Sequence, residues 1–155
     1  HAMSVCTQSV LLAKRMGICD TAELPQLATG GLLHDIGKQQ TDSRVLNKPN
    51  KLSAKERVAL QQHPKAGFES LCRREDLNWG QLMMVYQHHE RLGGQGYPVG
   101  VAREDIHSWA RVCSIVDVFH GITTARPYHD ANPFGVALDY LGRQAGRVFD
   151  ADMVK

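Results

Sequence analysis

Residues 88–98 read HHERLGGQGYP. Two adjacent histidines and Glu90 run straight into a stretch with three glycines, then a tyrosine and a proline. Paired imidazoles suit a metal or a proton, and glycines let a backbone turn tightly or lie against a ligand. The residues before this stretch predict a helix from about Trp79 to Glu90, and those after it a loop to about Glu104. Adjacent helical residues point about 100° apart. His88 and His89 are therefore expected to reach two ions lying close together, or one ion and its bound water. Glu90 is the expected orienting partner of one imidazole. Taken alone, two solvated histidines at a frayed helix end would explain the motif equally well.

Working outward, every segment reads as helix or loop, and none shows period-two alternation. Val5, Cys6, Ser9, Leu12, Ala13 and Met16 share one helical face, with Gly17 as the stop. Asp20 and Glu23 have capping-box spacing ahead of a second helix running to about Lys38. Residues 39–50 are a loop by composition. Ser53 and Glu56 form a capping box that opens the next helix, which Pro64 must kink or restart. A fifth helix covers about Glu104 to Thr124, and Asn132-Pro133 starts the last one. The expectation is an all-α domain with a buried metal centre. With 155 residues, 43% hydrophobic and 22% charged, the chain suits one domain with its own core. A net charge of +2 gives no argument for DNA or membrane binding. There is no transmembrane run and no secretory signal pattern. Cys6, Cys19, Cys72 and Cys113 form no short-spaced framework, which favours a reduced, cytoplasmic setting.

The unusual count is eight histidines. His34 and Asp35 in LLHDIGK end an apolar run, so both are expected to be partly buried and satisfied by hydrogen bonds or a metal. Lys38 follows one turn later, where it could hold an anionic group. His63 in HPKAGFE would alone be a packing or surface residue, with Gly67 permitting close helix approach. Ile106, Ala110, Cys113, Asp117 and His120 form one stripe that turns from apolar to ionisable. A carboxylate there needs a cation, either a metal or an arginine. Pooled, His34, Asp35, His63, His88, His89 and Asp117 are four imidazoles and two carboxylates. Nitrogen and oxygen donors without sulfur suit Fe, Mn, Ni, Co or Zn. Six ligands are too many for one open site and suit two divalent metal ions sharing a carboxylate.

HDIGK, HPKAG, HHERLGGQGYP and the later RPY segment resemble, in order and spacing, the HD-GYP family within the HD superfamily of metal-dependent phosphohydrolases. The resemblance covers residues 1–155. It implies a helical metal-centre domain that hydrolyses bacterial cyclic di-GMP to pGpG or GMP, usually as the output domain of a larger signalling protein. It implies Asp35 as the carboxylate shared by two metals and Lys38 as the phosphate contact. Arg126 and Tyr128 match residues bordering the nucleotide, and Gly96 and Tyr97 lie in a loop that faces substrate or a partner. Such a partner would be a diguanylate cyclase domain meeting Gly93–Pro98. His1, followed by Val5, resembles a further family ligand; the competing reading takes His1 as a cloning remnant. The sequence departs from the family at His120, where a second aspartate is usual, and at Gly93, where an acid is usual. His107 and His129 read as surface residues. The leading expectation is a cyclic di-GMP phosphodiesterase. The alternatives are a catalytically impaired module that binds nucleotide or protein, and a hydrolase of another phosphate ester.

Overall fold

The computed structural model describes residues 1–125 and 131–155. Arg126, Tyr128 and His129 lie outside the described residues. The first helix, α1 (Ala2–Met16), buries Val5, Ser9 and Ala13 on one face and stops at Gly17. Gly17 takes φ 61, a left-handed conformation that costs glycine little, and its N–H turns back to the Ala13 and Lys14 carbonyls. The Asp20–Glu23 capping box closes a 3-10 turn, Thr21–Glu23, leading into α2 (Leu24–Leu33).

The helix expected to reach Lys38 ends instead at Leu33. The His34 ring bonds the Gly31 carbonyl, Asp35 leaves the helical basin at φ −100, ψ 8, and Ile36–Gln40 tighten into a 3-10 turn. Packing accounts for the break. Gly37 lies so close to the next layer that a Cβ there would meet the Gly67 nitrogen at 2.5 Å and the His63 carbonyl carbon at 2.9 Å.

Residues 39–50 were expected to be all loop, but they include α3 (Ser43–Leu46), where Asp42 accepts the Arg44 N–H as a cap. The Ser53–Glu56 box opens α4 (Ala54–Leu60), and the chain restarts around Pro64 as α5 (His63–Leu71). An Asn78–Gln81 box opens α6 (Trp79–Gln87). That helix stops before the paired histidines, short of the expected Glu90. The fifth expected helix begins later than expected, as α7 (Ser108–Thr123), after a separate 3-10 turn at Arg103–Asp105. Its N-cap is His107, read from the sequence as an idle surface residue. The ring Nδ1 accepts the Trp109 N–H at 3.2 Å. Pro133 caps α8 (Phe134–Gln144) from outside the helix, and a further turn, α9 (Ala151–Val154), follows unforeseen.

α2 packs against α1 and α6, α7 against α1 and α6, α5 against α6, and α8 against α7. Val5, Leu27, Met84, Val112, Cys113 and Leu141 form the shared core. Burying such side chains stabilises by about 1.5–3 kcal/mol each. There is no β-strand among the described residues, and no helix there is long and apolar enough to cross a membrane.

Candidate metal centre

Three helix ends supply three buried histidines. The last carbonyls of an α-helix have no partner within the helix. At the end of α2, His34 Nδ1 donates to the Gly31 carbonyl at 2.7 Å. After α4, His63 Nδ1 donates to Leu60 at 2.8 Å. After α6, His88 Nδ1 donates to Met84 and Val85, each at 3.0 Å. A neutral imidazole whose Nδ1 carries the proton presents a lone pair at Nε2. All three Nε2 atoms face one carboxylate. His34 Nε2 lies 3.3 Å from Asp35 Oδ2, His63 Nε2 3.2 Å from Oδ1, and His88 Nε2 3.7 Å from Oδ1. His63 Nε2 and His88 Nε2 are 3.3 Å apart. With all three rings neutral, acceptors would face acceptors in a site where the rings are almost wholly buried, and either a proton at Nε2 or a bound cation relieves this. His34 Nε2 and Asp35 Oδ1 have no hydrogen-bond partner. A divalent cation resolves that arrangement, so the residues fit a metal.

The donors divide into two groups. Asp35, His63, His88 and His89 have ligand atoms within 4.8 Å of one another, and so do His1, His34 and Asp117. Asp35 links them. Its Oδ1 faces His63 and His88, while its Oδ2 faces His34 and, at 3.6 Å, His1. His1 Nε2 is also 3.1 Å from Asp117 Oδ1. His88 and His89, expected to reach two neighbouring ions or one ion and its bound water, fall in the same group. The expectation assumed a helix through both, and α6 has already ended at Gln87. Among the described residues no cysteine joins either group.

Charge follows this geometry. Burial pushes Asp35 up, but the contacts from His34, His63 and His88 outweigh it and hold the carboxyl well below its usual range. Burial pulls His34 down, and its neighbour Asp35 more than reverses this. Burial lowers His88, and burial together with the adjacent His88 lowers His89 much further. His88 and His89, held toward the neutral form, are ready ligands. Lys38 Nζ sits 2.6 Å from Asp35 Oδ2 and is about a third exposed, so one cation touches both the shared carboxylate and the open side.

Glu90 does not orient an imidazole. Its buried carboxylate accepts the N–H groups of Val99 and Gly100 at 2.9 and 3.0 Å and so closes the 90–100 loop. Gly96 packs edge-on against the histidine turn, where a Cβ would meet Arg91 N at 2.5 Å and His89 O at 2.6 Å. Tyr97 then lies over His89, ring centroids 4.6 Å apart. Burial pushes its phenol well above the ordinary range, so it stays a donor at neutral pH. Arg91 escaped the sequence reading. Its Nη1 donates to the His88 and Glu90 carbonyls and to Ser114 Oγ, and the guanidinium lies 5.4 Å from the Phe149 ring centre. It clamps the histidine turn onto α7, and no spacing rule points to it.

The HD domain family model matches residues 8–153. The cyclic di-GMP phosphodiesterase response regulator RpfG of Xanthomonas campestris is 37% identical over 90% of this chain and 37% of its own length. The 3'3'-cGAMP-specific phosphodiesterase 1 of Vibrio cholerae is 33% identical over 97% of this chain and 36% of its own. The chain thus spans little more than a third of these relatives. Among solved structures, the HDG"Y"P protein Bd1817 of Bdellovibrio bacteriovorus superimposes with a TM-score of 0.81, covering 99% of this chain and 49% of that one. At 21% identity this is a likeness of fold.

Proposed function

Because the chain belongs to the HD domain family and carries the HD-GYP motifs, we propose that it is a phosphodiesterase for cyclic di-GMP using two divalent metal ions. One observation carries the reading: imidazoles tied at Nδ1 to their own helix ends turn Nε2 toward the two oxygens of one carboxylate. Such an array favours a pair of cations over any single hydrogen-bonding solution. His63, His88 and His89 would hold one ion, His1, His34 and Asp117 the other, and Asp35 both. When bound, the ions supply charge stabilisation at phosphorus and an activated water.

The chain's own groups do the rest. Lys38 holds a phosphate oxygen beside Asp35, where an ammonium is a poor ligand and a good phosphate contact. Tyr97 offers a phenolic hydrogen bond at the rim. Arg126 and Tyr128, outside the described residues, would border the nucleotide. We place this activity in the bacterial cytoplasm, as one domain of a longer signalling protein whose Gly93–Pro98 loop meets a diguanylate cyclase domain.

The test is incubation of metal-loaded protein with cyclic di-GMP, 3'3'-cGAMP and a panel of linear phosphate esters, with products separated by chromatography. The expected products are pGpG or GMP from cyclic di-GMP. Binding without turnover would reduce the protein to a nucleotide-binding module. Preferential cleavage of another ester would refute the substrate.

A further inference from the structure

His120 occupies a position where the sequence resemblance leads one to expect an acid, and the metal groups do not include it. Its surroundings show a specific use. His120 Nδ1 is 3.0 Å from His1 Nδ1, with ring centroids 4.9 Å apart. The hydroxyl of Thr124, one turn later on the same strand of chain, lies 3.2 Å from His120 Nε2 and 3.3 Å from Nδ1. On its other side, His1 Nε2 faces Asp117 Oδ1 and Asp35 Oδ2. Of the proton assignments these contacts allow, one leaves His1 Nε2 free for an ion. His120 carries its proton on Nε2 and donates it to Thr124 Oγ1, leaving Nδ1 as an acceptor. His1 donates Nδ1–H to that acceptor, and its Nε2 keeps a lone pair toward Asp117 and Asp35.

We propose that His120 is a positioning residue for the metal centre: by accepting the Nδ1–H of His1, it fixes the tautomer and ring orientation that aim His1 Nε2 at the ion shared with His34 and Asp117. The need for it is visible in the geometry. His34, His63 and His88 each bond a carbonyl at the end of the helix before them. His1 precedes α1, stands at its N-terminal end and has no side-chain cap bond there. Helix N-termini offer N–H donors, so no local carbonyl is available to hold its Nδ1–H. The support must come from another element, and α7 supplies it from 119 residues away. A partner of this kind on a metal-binding histidine typically changes metal affinity 10–100-fold. A carboxylate at 120 could accept the same hydrogen, so imidazole here is a second solution to one requirement.

The inference rests on the two-ion reading above, and the experiment separates the two. Cobalt(II) is titrated into the metal-free protein, followed by calorimetry and visible absorption, for the parent, His120→Ala, His120→Asn and His1→Ala. Asparagine keeps an acceptor oxygen near the position of Nδ1. We expect two ions in the parent and an affinity at least tenfold weaker for one of them in His120→Ala. The other ion should be unmoved, and His120→Asn should recover to within about threefold. His120→Ala should add nothing once His1→Ala is present, since the two act through one ligand. A parent that saturates with one ion overturns the two-ion reading, and this inference with it. Two ions in the parent with unchanged affinities in His120→Ala overturn the inference alone. A drop in His120→Asn as large as in His120→Ala, or an effect that persists without His1, shows His120 to be a ligand itself.

Discussion

Replacing Gly37 by alanine tests the claim that backbone proximity builds this site. An ideal Cβ at Gly37 would sit 2.5 Å from the Gly67 nitrogen and 2.9 Å from the His63 carbonyl carbon, with the His63 carbonyl oxygen nearer still. Real Cβ atoms essentially never approach within 3.0 Å, and all three of these atoms are backbone, which cannot swing aside. The 3-10 turn carrying Lys38 must then separate from the N-terminus of α5, which carries His63. Overpacking typically costs 1–3 kcal/mol, and a clash confined to main chain belongs at or above the top of that range. We expect Gly37→Ala to lose about 3 kcal/mol. At an m-value of roughly 2 kcal/mol/M for urea, the unfolding midpoint falls by about 1.5 M. Gly17→Ala is the internal control: its Cβ meets nothing within 4 Å, and only the left-handed φ is strained, at about 1–2 kcal/mol. Both variants are measured by urea titration with a chelator present, so that metal binding does not contribute. Cobalt(II) affinity, measured separately, should fall in Gly37→Ala and hold in Gly17→Ala. A Gly37→Ala midpoint no lower than that of Gly17→Ala would refute the packing argument.

Elemental analysis of metal-replete protein should find about two divalent ions per chain, and His88→Ala and Asp117→Ala should each lose metal. A single ion at saturation contradicts this. Lys38→Ala should keep its metal yet lose most turnover, because the ammonium contacts Asp35, where it would meet a substrate phosphate, and is no ligand. Parental turnover would remove Lys38 from the chemistry. Glu56 is held down to about 2 by Lys48 and by the Ser53 cap, below the ordinary 4.5. A depressed carboxyl contributes stability that is present above its unfolded value and lost as pH falls through its folded one. The gap in urea midpoint between parent and Glu56→Gln should therefore be full above about pH 4.5 and close toward pH 2. A gap independent of pH would show that the charge of Glu56 does not matter.

Residue type and spacing alone determined the helical class, the caps at Ser53–Glu56 and Gly17, and six candidate ligands, while His1 entered only through the family resemblance. Capping acts over three or four residues, so its signal is local. Histidines and aspartates on buried stripes announce a cation wherever the stripe leads. Where α2 and α6 end was not legible, because those ends depend on contacts with other elements. The helix expected to reach Lys38 ends at Leu33, ahead of the close approach of Gly37 to His63, and α6 ends before His88, whose ring bonds the helix's own last carbonyls. With that one-turn difference, His88 and His89 fall in one group of donors, and of the two expected arrangements the two-ion one is not the one seen. Glu90 chose backbone donors nine and ten residues on, and Arg91 found Ser114 and Phe149. His120 met His1 from the far end of the chain. A side chain's sequence states what it can bond; only the tertiary structure decides which of several equally capable partners comes within 3 Å, because hydrogen-bond energy falls steeply with distance while chain separation carries no information about it.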